Sequence, residues 1–329
     1  MATLTFEEAF RVVQVDESHY VGVHPLKLPL TGARGVYGGH VCAQTLLVAL
    51  ESAPGWVLHS LHSHFLGPAN EKIVCQYEVT ELQRGKNSLR SIIKVTQTTR
   101  DGTQKAVYTC MVSFVKKGIN VQAIDGQRDP PNDIHYKYPD PDKLTVIHHT
   151  DFVKNAYGEE LVNYRNCPEE SLQTPSERWI TLFSGIDQPD SFSDPKFNYV
   201  GLGCISDSAL LTTLARVLHL PWNPTEMFEE EEFDEGKDAK TLMGTSMNII
   251  HLFHYHAMSL DHHIYFHCDK EEDSFDVVKQ WLTFSYQMKT LRNGRTLVRG
   301  HFYNPKGTCV ATIVQEGITL IHPDVAEKL

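Results

Sequence analysis

The chain has 329 residues, with 41 Asp and Glu against 30 Lys and Arg, so its formal net charge is −11. A hydrophobic share of 41% with 10% aromatics is that of globular protein and excludes general disorder; the length suits two domains. The acidic balance speaks against nucleic acid as a partner, because phosphate binding needs a basic face, yet it leaves room for a local basic entrance to an anionic small molecule.

The N-terminus, Met-Ala-Thr-Leu-Thr-Phe-Glu-Glu, lacks the basic stretch and apolar core of a signal peptide. A helical pattern opens at Tyr37-Gly38-Gly39-His40. Val41, Thr45, Val48 and Ala49 fall on one side of it. It stops near Ser52-Ala53-Pro54-Gly55, where Pro and Gly punctuate the chain. Four strand-like runs follow, at about 56–66, 72–83, 88–100 and 103–115, each rich in β-branched or aromatic residues. The last two are joined by the turn signature Arg100-Asp101-Gly102.

The same succession returns from Gly201. Asp207, Leu210, Leu211, Leu214 and Leu218 mark one face of a helix that ends before Pro221. Strand-like runs follow at about 256–268, 276–290, 294–304 and 307–320. Ser60-Leu61-His62-Ser63-His64 echoes Ser259-Leu260-Asp261-His262-His263, and Arg84-Gly85-Lys86-Asn87 echoes Arg292-Asn293-Gly294-Arg295. A repeat this long indicates a duplicated domain. The expected organisation is an N-terminal unit over 1–116, a linker over 117–151 and a C-terminal unit over 152–329. The linker carries Pro130-Pro131 and Tyr138-Pro139-Asp140-Pro141. The C-terminal unit holds an acidic insertion at about 226–238, with Glu229-Glu230-Glu231-Glu232, read as a solvated loop. No apolar run reaches the roughly 20 residues of a membrane span. Seven scattered cysteines without a CxxC pair read as reduced thiols of an intracellular protein.

A helix followed by four antiparallel strands is an α+β unit whose sheet wraps the helix, and two such units can share one continuous sheet. Four stretches then become specific: Val36-Tyr37-Gly38-Gly39-His40, His59 through Pro68, Leu260 through His267, and Ala311-Thr312-Ile313-Val314-Gln315-Glu316-Gly317. In this order, on the two halves of a duplication, they resemble the acyl-CoA thioesterase II family, built from two hotdog folds, and within it the peroxisomal branch. The resemblance implies a double hotdog, a fatty acyl-CoA substrate and no cofactor.

Three residues carry the candidate chemistry. Asp207 sits on the apolar stripe of the second helix; it reads either as a helix cap or first-turn acid, or as a partly desolvated general base. Gln315 shares a strand face with Ala311, Ile313 and Gly317, and a buried amide there serves either structure or a bound water. Ser259 precedes Leu260-Asp261-His262-His263 and by pattern alone is an ordinary strand serine. The resemblance assigns them together. In the family an Asp of the second hotdog helix, a Thr or Ser before the Asp-His motif and the Gln of Val-Gln-Glu-Gly cooperate, and these fall on Asp207, Ser259 and Gln315. Bacterial members have Thr where this chain has Ser259. The implied mechanism is direct water attack on the thioester, with backbone N–H groups at a helix N-terminus as oxyanion donors. Covalent attack by Asp207, through an anhydride, stays open beside it.

Other motifs are weaker. His254 and His256, two apart on one strand, would share a face and make a zinc pair with His251 nearby, but no carboxylate or cysteine framework accompanies them and no metal is expected. His262 and His263 are expected to pack or hydrogen-bond near the site. Gly201-Leu202-Gly203-Cys204-Ile205-Ser206 is an incomplete dinucleotide loop outside a βαβ context. No G-x-S-x-G elbow exists. The alternatives are a double-hotdog enoyl-CoA hydratase, whose motif is absent, and an acyl-CoA binding module. A homodimer is expected because hotdog sheets commonly associate. The terminal Glu327-Lys328-Leu329 resembles the peroxisomal Ser-Lys-Leu address with Glu327 in the small-residue place, so import-receptor binding and a peroxisomal location are expected, with the cytoplasm as the alternative.

Overall fold

The computed structural model describes residues 4–118, 126–128, 140–158, 161, 167–220, 247, 254–268 and 274–323. The acidic insertion, His251, most of the linker and the last six residues lie outside them.

The first half opens with helix α1 (Phe6–Phe10) and two short strands, β1 (Val12–Gln14) and β2 (His19–Gly22). Helix α2 (Gly38–Ser52) follows, then β3 (Val57–Phe65), β4 (Gln76–Arg84), β5 (Ser88–Thr98) and β6 (Gln104–Val115). The second half begins with β7 (Thr145–His148), β8 (Val153–Tyr157) and β9 (Ile180–Ile186). Helices α3 (Phe197–Ile205) and α4 (Leu214–Val217) come next. The strands β10 (Tyr255–Ser259), β11 (Asp261–Phe266), β12 (Leu282–Arg292), β13 (Arg295–Tyr303) and β14 (Cys309–Ile321) complete it.

All these strands join one antiparallel sheet of 14 strands, in the order β1-β2-β4-β5-β6-β3-β11-β14-β13-β12-β9-β8-β7, with β10 pairing β14 off this path. The two halves meet where β3 pairs β11, with Ser63 opposite His262 and His62 opposite His263. Outward from that seam one half runs β3-β6-β5-β4-β2-β1 and the other β11-β14-β13-β12-β9-β8, the same order by chain position. This matched order is the duplication expressed in topology, and the molecule is the expected double hotdog.

Helix α2 is buried continuously from Gly39 to Ala49, which suits a helix wrapped by a sheet on one side and packed against a second helix on the other. That second helix is α3. Its Gly203 lies so close to α2 that an added Cβ would stand 2.3 Å from Leu46 Cδ1. The Tyr37 hydroxyl donates to Cys204 O at 2.8 Å and ties the start of α2 to the end of α3.

The structure departs from the sequence expectations at defined places. The helix expected to run from Gly201 through Leu218 is broken: α3 ends at Ile205, and 206–213 is a series of turns before α4. Hydroxyls explain the break, because they compete for helical carbonyls. Ser208 Oγ donates to Ile205 O at 2.8 Å and Thr213 Oγ1 to Ala209 O at 2.8 Å, while Ser206 Oγ lies 2.9 Å from Gly203 O. Tyr255 OH then donates to Leu211 O at 2.7 Å, so a freed carbonyl is satisfied from the sheet. The run expected over 256–268 is two strands separated at Leu260. The strand expected from 276 begins at Leu282. Strand β7 and the turn before it occupy the end of the stretch read as linker.

Candidate active site

Asp207 lies two residues beyond the last residue of α3, in the turn segment, so it is neither an N-cap nor a first-turn acid of that helix. The break turns its side chain toward the start of α2 in the other half. An added Cβ on Gly38 would stand 2.6 Å from Asp207 Oδ2 and 2.9 Å from Phe65 Cζ, so only glycine leaves room there. The Gly39 N–H, at the first turn of α2, favours the ionised carboxylate. The N-cap residue Tyr37 makes no side-chain capping bond, which leaves this helix end open to an anionic group.

Ser259 and Gln315 arrive from the sheet. Gly317 opposes Ser259 in the pairing of β10 with β14, and Gln315 lies two residues before it, on the helix-facing side. The Gln315 amide nitrogen donates to Asp207 Oδ1 at 2.8 Å and to Ser259 Oγ at 2.7 Å. Ser259 Oγ donates in turn to Asp207 Oδ1 at 3.3 Å. The three sequence-derived residues therefore form one cluster, drawn from a helix end and two strands. Gln315 is fully enclosed, while Asp207 and Ser259 keep part of their surface open to solvent.

Burial is the dominant influence on Asp207 and pushes its carboxyl up to about 6; hydrogen bonds from Gln315 and Ser259 and the Gly39 N–H hold it from rising further. A carboxylate with that value is ionised near neutral pH and basic enough to take a proton. Because Oδ1 accepts from both Gln315 and Ser259, Oδ2, facing the start of α2, is the oxygen with spare accepting capacity.

Two further residues complete the constellation. His262 Nδ1 is 2.7 Å from Gln315 Oε1, and Ser206 Oγ is 2.7 Å from His262 Nε2. The sequence placed His262 near the site but offered no signal for these bonds, and Ser206 was read only as part of the incomplete dinucleotide loop. His263, its neighbour, points to the other face of the sheet, with its ring 5.2 Å from that of His62.

Gly201 and Gly203 lie inside α3, not in a loop that opens a helix, so they cradle no phosphate. His254 precedes β10 and is buried while His256 is exposed and packs against His322 at 4.5 Å, so the two do not share a face as expected. Among the described residues no three His, Cys, Asp or Glu side chains gather as metal ligands. In the first half Gln44 of α2 is buried; its Oε1 accepts from the Tyr77 hydroxyl at 2.6 Å and its nitrogen donates to Phe10 O at 3.1 Å.

Family models match both halves: residues 26–115 match the acyl-CoA thioesterase N-terminal domain, and residues 139–319 match the acyl-CoA thioesterase C-terminal domain. The chain belongs to the acyl-CoA thioesterase II family. It is an acyl-CoA thioesterase, and its reaction is thioester hydrolysis. The C-terminal match starts inside the stretch read as linker, in keeping with β7. Acyl-CoA thioesterase 2 of Haemophilus influenzae is 24% identical over 87% of this chain and 88% of its own length. A Saccharomyces cerevisiae relative, peroxisomal acyl-coenzyme A thioester hydrolase 1, is 21% identical over 96% of this chain and 95% of its own. The crystal structure of an acyl-CoA thioesterase II from Mycobacterium marinum superposes with a TM-score of 0.65 at 20% identity, covering 97% of this chain and 99% of that one. No helix among the described residues of this thioesterase is long and apolar enough to cross a membrane.

Proposed function

We propose that this thioesterase hydrolyses fatty acyl-CoA to free fatty acid and CoA by direct attack of a water molecule that Asp207 activates and that Ser259 and Gln315 orient. The observation that supports it is the shared cluster: one amide nitrogen within 2.8 Å of the carboxylate and 2.7 Å of the hydroxyl. In the forward step the water oxygen bonds to the thioester carbonyl carbon while its proton passes to Asp207. The tetrahedral intermediate then collapses, the C–S bond breaks, and the thiolate takes the proton back from Asp207. A thiolate leaves readily, so positioning and a general base suffice, the base contributing on the order of 10²–10⁴-fold. The N-terminal turn of α2, at Gly38 and Gly39, is the proposed source of N–H donors for the developing oxyanion.

The test is release of free CoA from saturated acyl-CoAs of graded chain length. A binding module releases none, and a hydratase consumes only enoyl substrates without thiol release. Either result would overturn the proposal.

A homodimer is proposed, supported by exposed Met111 and Tyr265 on the outer sheet face beside the seam; light scattering that gives a monomer mass would remove it. A peroxisomal location, through an import receptor, is proposed from the name of the Saccharomyces cerevisiae relative, a peroxisomal acyl-coenzyme A thioester hydrolase. Diffuse cytosolic signal from a tagged full chain would count against it.

A further inference from the structure

An amide can face either way, because its oxygen and nitrogen are alike in size and only its partners select the orientation. The assignment of Gln315 matters. With the nitrogen toward Asp207 it donates to a carboxylate and to Ser259; reversed, its oxygen would oppose the carboxylate. The partner that decides is His262. Its ring is fully enclosed on β11, between Gln315 of β14 and Ser206 at the end of α3.

The protons follow from the partners. Gln315 Oε1 only accepts, so His262 Nδ1, at 2.7 Å, carries the hydrogen. The neutral ring then has an acceptor at Nε2, and the Ser206 hydroxyl at 2.7 Å donates to it. Ser206 Oγ is also 2.9 Å from Gly203 O, but only donation to Nε2 satisfies the ring and Gln315 together. The backbone of His262 is fixed as well, since Ser63 of the other half donates to its carbonyl at 2.6 Å.

We propose that His262 is a positioning residue for hydrolysis: through Nδ1–H it locks the Gln315 amide so that both amide hydrogens face Asp207 and Ser259, with Ser206 holding the required tautomer. This rests on the reading of Asp207 as the general base. Burial keeps His262 neutral, with its value lowered to about 4 despite the favourable bond to Gln315; neighbouring His263 lowers it and Asp261 raises it. The groups that act on Asp207 itself are the amide of Gln315, the hydroxyl of Ser259 and the Gly39 N–H, while Tyr37, Cys42 and Cys204 stand near it as neutral groups, each held up by burial. The lock therefore stays set across the working pH range, and it reaches Asp207 only through Gln315.

The test compares His262→Asn, whose amide nitrogen replaces Nδ1–H, with His262→Leu, which has no donor, and Ser206→Ala, which frees the tautomer. His262→Leu is expected to lower kcat roughly tenfold to a hundredfold with little change in KM. Its acid limb is expected to move to higher pH, as Asp207 loses N–H donation. His262→Asn restores most of kcat and the normal limb, and Ser206→Ala shifts both in the direction of Leu by less. Independently, ¹⁵N–¹H NMR of the histidine-labelled full chain is expected to show the buried ring protonated at Nδ1. Wild-type kcat and limb in His262→Leu would overturn the proposal, as would equal impairment in Asn and Leu, or a ring protonated at Nε2. If His262→Leu does not fold, Ser206→Ala and the NMR tautomer decide. Absence of thiol release in the wild type would instead sink the reading of Asp207 as base, and the tautomer measurement would still report on the lock.

Discussion

Gln315 Nε2 donates to Asp207 Oδ1 at 2.8 Å across 108 residues of sequence, joining the last strand of the sheet to the turn that ends α3. That bond makes the carboxylate part of a built cluster and explains why an otherwise apolar strand face carries an amide.

The pH dependence follows from the carboxyl value of about 6. As the proposed general base, Asp207 works ionised, so kcat/KM is expected to rise about tenfold per pH unit below that value and to level off above it. A pH–rate profile on a saturated acyl-CoA checks this; a limb near the ordinary carboxyl value would show that Asp207 is not the titrating base.

Stability carries the opposite sign. The folded value lies above the ordinary 3.8, so the folded state binds the proton more tightly than the unfolded one. Ionising Asp207 therefore costs stability, absent below about pH 4 and fully developed above about pH 6. Asp207→Asn is expected to stabilise the protein by roughly 1–3 kcal/mol near pH 8 and by little near pH 4. Paired thermal melts at the two pH values measure it.

Gly38→Ala places a methyl group against Asp207 Oδ2 and Phe65. Relief of such a clash costs about 1–3 kcal/mol. Because the carboxylate must move, kcat is expected to fall further than stability alone explains. A variant that stays well folded with full activity would show that the start of α2 does not crowd the site.

A control lies away from the site. Glu170 and Arg216, both buried, pair through two bonds of 2.7 and 2.9 Å, and His219 Nε2 lies 2.9 Å from Glu170 Oε2. Removing one partner leaves a buried charge, so Glu170→Ala is expected to cost about 3–5 kcal/mol in a denaturant titration. The acid limb of kcat/KM should not move.

Much of this was visible in the sequence, for physical reasons. Helix α2 and the strands β3–β6 and β11–β14 carry regular apolar periods and turn signals, and the echo of Ser60–His64 in Ser259–His263 exposed the duplication. Asp207, Ser259 and Gln315 were singled out through the resemblance, since their own patterns left ordinary structural roles open. What stayed hidden depended on tertiary contacts. Strands β1 and β7 have three and four residues and take their shape from pairing at the sheet edges. The break after Ile205 needed the hydroxyls of Ser208 and Thr213 to turn back on the backbone. The role proposed for His262 rests on partners 53 and 56 residues away, beyond any local spacing rule.

Covalent attack by Asp207 is separable from water attack. With enzyme in excess and ¹⁸O-labelled water, a single turnover by direct attack is expected to place the label in the fatty acid and leave the Asp207 peptide unlabelled. Label in that peptide by mass spectrometry would establish the anhydride route.

The most direct measurement is thiol release from a saturated fatty acyl-CoA by Asp207→Asn beside the wild type, with folding checked by melting. Loss of the base is expected to lower kcat by on the order of 10²–10⁴-fold while the variant melts cooperatively at or above the wild-type temperature. A folded Asp207→Asn protein that releases CoA at nearly the wild-type rate would contradict the account.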